Sequence, residues 1–252
     1  MTPFLSVIVP AHNEERRLPS SLARIRSFLA AQAYESELIV VDSGSTDGTA
    51  AVARRHAADS HGLRLFQEAL PGKGRAVRRG MLEARGDYRF ICDADLSMPI
   101  EELPRFLPPA QPSADIAIGS REASGARRYG EPAYRHWIGR VFNATVRLLA
   151  IPDFQDTQCG FKCLRAGPAE DLFSVQRMDG WSFDVEMLYI ALRRGYRIVE
   201  IPIPWYFEPG SRVRIVQDSF HMLIDLFRIR RNWARGLYAR TRDSSSEPGS
   251  RA

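Results

Sequence analysis

Short, almost uninterrupted apolar runs, each followed by a polar loop and then a helical repeat, constrain this chain more tightly than any other feature. Phe4–Val9, Glu37–Asp42, Leu63–Phe66, Tyr88–Cys92 and Asp115–Ile118 read as strands. After the first of them, Leu18, Leu22, Ile25 and Leu29 recur at helical spacing across Glu14–Ala31. Thr46 or Asp47 can cap a helix that runs through His56, and Gly72-Lys-Gly74 opens another that ends near Gly86. Strands that are apolar on both faces and alternate with helices predict an α/β fold with a mostly parallel central sheet and helices on both faces. Ligands of such sheets bind at the carboxyl ends of the strands. Pro10, Asp42, Asp93-Ala-Asp95 and Gly119-Ser-Arg121 all fall there.

The pattern changes after Arg121. Residues 124–132 read as a Gly- and Arg-rich loop, 134–150 as a helix with a basic and an apolar stripe, and 156–162 as a polar link into a strand. A helix over 182–194 and a strand over 196–203 follow. Gln217–Tyr238 predicts one long amphipathic helix, with Phe220, Leu223 and Phe227 on one side and Arg228, Arg230, Arg231 and Arg235 on the other. We expect a single domain over 1–240. It comprises a first half (1–121), a second half (122–211) and a basic amphipathic segment (212–240), with 241–252 as a disordered tail.

Charge and cysteine usage narrow the function classes. From Arg212 to Arg242 there are eight arginines against Asp218 and Asp225, more than the whole net excess of +5. Such a segment suits an anionic partner, although a solvated helix face has the same composition. No apolar run approaches a membrane span, and the N-terminus lacks a basic leader, so a strand is expected there and not a signal peptide. Cys92, Cys159 and Cys163 lack the spacing of a zinc site or a disulfide framework, which points to packing in a reducing, cytoplasmic compartment. No nucleic-acid-binding module with interleaved aromatics is present.

Asp93 and Asp95 end the fourth apolar run. Two carboxylates at a strand end can grip one hard divalent cation, which in turn can hold a diphosphate. Taken alone, the pair is equally a polar strand end. Asp42 can accept N–H groups of a uracil or guanine base. Lys73 sits at a helix start, where a bound phosphate gains from backbone N–H groups and the helix dipole.

Read together, Ser6-Val-Ile-Val-Pro-Ala-His-Asn-Glu14, Val40-Val-Asp-Ser-Gly-Ser-Thr-Asp-Gly-Thr49, Gly72-Lys-Gly-Arg-Ala-Val77 and Asp93-Ala-Asp95 resemble glycosyltransferase family 2. Asp93-Ala-Asp-Leu-Ser97, Gly119-Ser-Arg121, Asp156-Thr-Gln-Cys-Gly-Phe-Lys162, Trp181-Ser-Phe-Asp-Val-Glu186 and Gly210-Ser-Arg212 are similar to its polyprenyl- and dolichyl-phosphate hexosyltransferase branch, of the dolichyl-phosphate β-glucosyltransferase type. The resemblance spans roughly residues 4–235. It implies a Rossmann-like A-type glycosyltransferase fold ending in a C-terminal amphipathic helix, and a nucleotide-diphospho-sugar donor. It places Pro10, Asn13, Glu14 and Asp42 around base and ribose, with Lys73 near the donor phosphates. Asp93 and Asp95 would hold Mg²⁺ or Mn²⁺, with Ser97 as a further ligand. Arg121, Arg135 and Arg212 would gather the acceptor phosphate, and Asp156 and Gln158 would line the sugar side. Ser43 departs from the family's usual second Asp, and Arg212 stands where a lysine is common.

The implied reaction is an inverting transfer of a hexose to a polyprenyl or dolichyl phosphate at the cytoplasmic face of a membrane. UDP-glucose is the favoured donor and GDP-mannose the alternative. An anionic phosphate needs no side chain to remove a proton, unlike a saccharide hydroxyl, the other acceptor class. A carboxylate such as Asp184 poised over the anomeric carbon would favour the hydroxyl. A non-catalytic binder of nucleotides or nucleic acid is the remaining class. For the C-terminal helix three partners stay open: an anionic membrane surface, the protein's own core, and a second copy of the chain.

Overall fold

A computed structural model describes residues 2–58, 62–149, 151–208 and 215–239. Strands β1 (Leu5–Ala11), β2 (Ser36–Ser43), β3 (Leu63–Glu68), β4 (Tyr88–Ile91), β5 (Ile116–Ser120), β7 (Lys162–Arg165) and β8 (Ile198–Pro202) form one sheet in the order β3-β2-β1-β4-β7-β5-β8. All pairings are parallel except those of β7 with β4 and β5. The exception has a topological cause. The excursion after β5 returns at the carboxyl end of β4, where Lys162 pairs with Ile91, so β7 can only run back away from that edge.

Alternation along β1 shows why the strands are apolar throughout. Leu5, Val7 and Val9 face a core with helix α1 (Leu18–Ala30), helix α2 (Thr49–Ala58) and the 3₁₀ turn Ile100–Phe106. Ile8 faces the opposite core, built with α3 (Lys73–Glu83), α5 (Ala166–Val175), α6 (Phe183–Arg193) and α7 (Ile215–Ala234). Gly80 of α3 lies directly on Ile8, where a Cβ would overlap the isoleucine side chain. The first helix starts at Leu18 and not at Glu14. Residues 14–17 form a turn closed by Arg17 and Leu18 N–H groups on the Glu14 carbonyl, and Pro19 occupies the first helical turn, where its missing N–H costs nothing.

The region after Arg121 holds elements not read from the sequence. Strand β6 (Arg127–Tyr129) lies inside the Gly/Arg-rich loop and pairs with β9 (Pro204–Tyr206). Helix α4 (Ala133–Leu149) packs on α7, which also contacts α6. Met222, Leu226 and Ile229 of α7 are buried in that contact, while Ile224 and Phe227 are exposed. Most of the apolar face of α7 therefore belongs to the protein's own core. Gly236, in the left-handed region, ends the helix as the Leu237 N–H returns to the Asn232 carbonyl at 3.0 Å. No helix among the described residues is long and apolar enough to cross a membrane. The expected tail 241–252 lies outside the described residues.

Candidate active site

The loops leaving β1 and β2 are tied together by side chains. The Asn13 backbone N–H donates to Ser45 Oγ at 2.7 Å, the Glu14 N–H donates to Thr49 Oγ1 at 2.7 Å, and the Thr46 N–H donates to Asn13 Oδ1 at 2.7 Å. Asn13 takes a positive φ of 51° to do this, a conformation that Asn tolerates. Its side chain is thus a brace between loops and not part of the cleft wall. Gly44, at φ 62°, lies so close to Pro71 that a Cβ would come within 2.8 Å of its nitrogen. The Ser43 hydroxyl accepts from the Gly72 N–H at 2.8 Å, so the residue that departs from the family pattern anchors the turn leading to Lys73.

These loops open on a cleft of about 630 Å³, within the range of small-molecule sites. Pro10, Glu14, Lys73, Asp93, Asp95, Ser97, Arg121 and Gln158 of the expected residues line it. Lys73 Nζ lies 2.6 Å from Asp93 Oδ1 and over the Trp181 ring at 5.3 Å. Burial works against the Lys73 charge, but Asp93, Asp184 and Asp95 outweigh it and hold the ammonium above its ordinary range. Asp95 accepts the Ser97 N–H at 3.0 Å, and burial, then Asp93, pushes its carboxyl upward. Two crowded carboxylates, one already on an ammonium, fit a hard divalent cation. No group of three His, Cys, Asp or Glu ligands exists among the described residues. Such an ion would therefore complete its shell with substrate phosphates or water.

Asp42 is buried behind the cleft. Gln67 Nε2 donates to its Oδ2 at 3.4 Å, while Oδ1 is buried with no hydrogen-bond partner. An orphaned carboxylate oxygen carries a desolvation cost that a ligand N–H would relieve.

The opposite wall is built on arginines. The Arg121 guanidinium forks onto Asp156 at 2.6 and 2.9 Å, and its backbone N–H donates to the same carboxylate at 3.0 Å. Asp156 is fully buried. Burial alone would raise it, but Arg121 brings it down to about 2. Asp156 thus does not line the sugar side as expected. It stands behind Arg121 and positions it, and its own N–H and that of Gln155 rest on Glu200. Glu122 and Glu131 hold the neighbouring Arg128 at 2.5 and 2.7 Å. Both guanidinium groups lie over Trp205. Arg135 falls on α4, but its side chain is outside the described part, and Arg212 lies outside the described residues altogether.

Several lining residues escaped the sequence reading: His12, Arg17, Arg128, Trp181 and Trp205. The adjacent arginines in the loop 124–132 were the visible signal for Arg128. His12 had none, and it is placed by a 2.6 Å contact of its Nδ1 with the Ser43 carbonyl oxygen. Asp184 and Glu186 divide their tasks. Asp184 lines the cleft, paired with the buried Lys162 at 2.7 Å. Glu186 points away and accepts Met178 N–H and Tyr238 Oη–H at 2.8 and 2.6 Å. The three cysteines are free and buried, in agreement with a packing role.

Comparisons with known proteins identify the family of the chain. Residues 6–173 match the family described as glycosyl transferase family 2. A dolichyl-phosphate beta-glucosyltransferase of Drosophila melanogaster is 36% identical, the match covering 96% of this chain and 78% of the relative. The proteins of the same name from Saccharomyces cerevisiae and Homo sapiens are 32% and 34% identical, covering 93% and 94% of this chain and 76% and 78% of theirs. Among solved structures, glucosyl-3-phosphoglycerate synthase from Mycobacterium tuberculosis, in complex with Mn²⁺, UDP and glucosyl-3-phosphoglycerate, superposes with a TM-score of 0.64 at 20% identity. That superposition covers 89% of this chain and 78% of the other, and it establishes a shared fold. With its parallel sheet, its acidic couplet at the end of β4 and these relatives, the chain belongs to glycosyl transferase family 2.

Proposed function

We propose that this chain transfers glucose from UDP-glucose to a dolichyl or other polyprenyl phosphate, inverting the anomeric carbon, as a peripheral protein at the cytoplasmic face of a membrane. One observation carries the reading: a single cleft sets a carboxylate couplet, Asp93 and Asp95, against two guanidinium groups, Arg121 and Arg128. Mg²⁺ or Mn²⁺ held by the couplet, with Ser97 beside it, would neutralise charge on the departing diphosphate. Asp42 accepts an imide N–H of the base. Lys73 adds positive charge at the start of α3.

The acceptor's phosphate oxygen bonds to C1 as the bond from C1 to the diphosphate oxygen breaks, and the nucleoside diphosphate leaves with the electron pair. No proton must be removed, because the attacking oxygen is already anionic. Arg121 and Arg128 offset the repulsion between the two anions. Asp184 lines the same cleft, where burial pushes its carboxyl upward despite the Lys162 ammonium 2.7 Å away, so a saccharide hydroxyl stays as the second acceptor class. Glucose and uridine are supported by the relatives' names and by the UDP-glucose in a structural neighbour. Guanosine-linked mannose would satisfy Asp42 equally.

The test is transfer of labelled sugar from UDP-glucose and from GDP-mannose into dolichyl phosphate, with Mn²⁺ and with chelator. Glucosyl lipid formed only with the metal, and lost in Asp95→Ala, is expected. A mannosyl lipid would overturn the donor, and label on free saccharide alone would overturn the acceptor.

A further inference from the structure

The acceptor side of the cleft continues outward into a rim of exposed rings. Tyr134 and Trp137 of α4 are 63% and 65% exposed, the two most exposed aromatic rings on the described surface. Tyr129 and Tyr206, stacked at 4.7 Å on the β6–β9 pair, add two more, and Tyr129 is only five residues before Tyr134. The outward face of α4 is regular. Tyr134, Trp137, Arg140, Ala144 and Arg147 recur at three- and four-residue steps, all exposed. The inward face carries Gly139 and Asn143 into the cleft and Val146 into the core.

Charge along α4 has one sign. Helix α4 holds three arginines and no Asp or Glu. Arg140 stacks over Trp137 at 5.9 Å, and Arg127 beside Tyr129 is exposed. Glu122 and Glu131, in the loop before α4, are held by Arg128, and Glu208 past the end of β9 is the exposed acid of the ribbon. Rings with a polar tip, set among exposed basic groups, match the boundary between acyl chains and anionic headgroups. A purely apolar protein partner would have no use for the arginines.

We infer that α4 and the β6–β9 ribbon form the surface by which this protein sits on an anionic bilayer, so that a lipid-borne phosphate passes over the aromatic rim directly to Arg128 and Arg121. This rests on the proposed lipid acceptor, and it moves the membrane contact from the C-terminal helix, most of whose apolar face is buried, to the rim of the cleft.

The experiment is flotation of the full chain with vesicles of phosphatidylcholine, with and without phosphatidylserine. The wild type is expected to float with the anionic vesicles. The pair Tyr134→Glu and Trp137→Glu should lower the bound fraction about tenfold. It should lower transfer to a long-chain polyprenyl phosphate in vesicles similarly, while transfer to a short, water-soluble prenyl phosphate and the thermal midpoint stay unchanged. Tyr134→Phe with Trp137→Phe should keep most of the binding. A wild type that does not float, or a glutamate pair that floats like it, overturns the surface. So does a wild-type dimer that the glutamate pair splits without any vesicle binding, which would assign the face to a second copy. Should the wild type accept no prenyl phosphate of any length, the proposed function fails, and flotation still decides the surface.

Discussion

Across the cleft from Asp93 and Asp95, Arg121 and Arg128 each rest on carboxylates of their own. On the donor wall, by contrast, Asp93 leans on Lys73 and Asp95 on one backbone N–H, and behind them Asp42 Oδ1 has no partner. The donor wall is thus short of positive charge and donors, which a cation and a base would bring. The acceptor wall is already internally balanced. Asp156 uses Nε and Nη2 of Arg121 and leaves the rest of its five donors to a ligand. A site that must hold two anions in turn gains from this asymmetry. One wall binds by completing itself, and the other binds by presenting groups that are already fixed.

Breaking the acceptor wall should have the largest effect. Arg121→Ala leaves Asp156 buried and charged without its partner, which we expect to cost about 3–5 kcal/mol in urea unfolding. A variant of unchanged stability would mean that the wall is not internally balanced. Asp95→Ala on the donor wall should leave folding intact and lower transfer at least about a hundredfold. Calorimetry should show UDP binding to this variant no longer strengthened by Mn²⁺.

Acid sharpens the contrast further. Asp156 is depressed from 3.8 to about 2, so its contribution is present above pH 4 and fades as pH falls toward 2. From that shift it amounts to about 2 kcal/mol. Comparing wild type with Asp156→Asn by urea unfolding at pH 5 and pH 3 should show a steeper loss in the wild type; parallel losses would reject the depressed carboxyl. The smallest effect belongs to Asp42→Asn. Replacing an acceptor oxygen with a donor should weaken UDP about tenfold, roughly one lost hydrogen bond. An unchanged affinity would remove Asp42 from the base pocket.

The donor wall was legible in the sequence because its logic is local. Each apolar run stops, a polar loop follows within a few residues, and the parallel sheet aligns the loops without further information. The acceptor wall depends on partners far apart in the chain. Arg121 and Asp156 are separated by 35 residues, and no periodicity announces that one carboxylate will turn inward to hold the other's guanidinium. The reversed direction of β7 likewise follows from where a long excursion returns. The α7 period was readable, but which part of its wide apolar face is buried is set by α4 and α6. Helix α5 follows β7 without any intervening residue, so no loop composition marked it.

Gly160 belongs to the link that leads back into β7, on the acceptor side of the chain, yet it presses against the carboxylate of Asp93 so closely that even a methyl group would overlap Oδ2. A lesion there would be misdiagnosed by its address. Gly160→Ala, made to alter which lipid is used, would show up as a fault in nucleotide handling, because the two halves of the reaction meet at a point with no room for a single extra carbon.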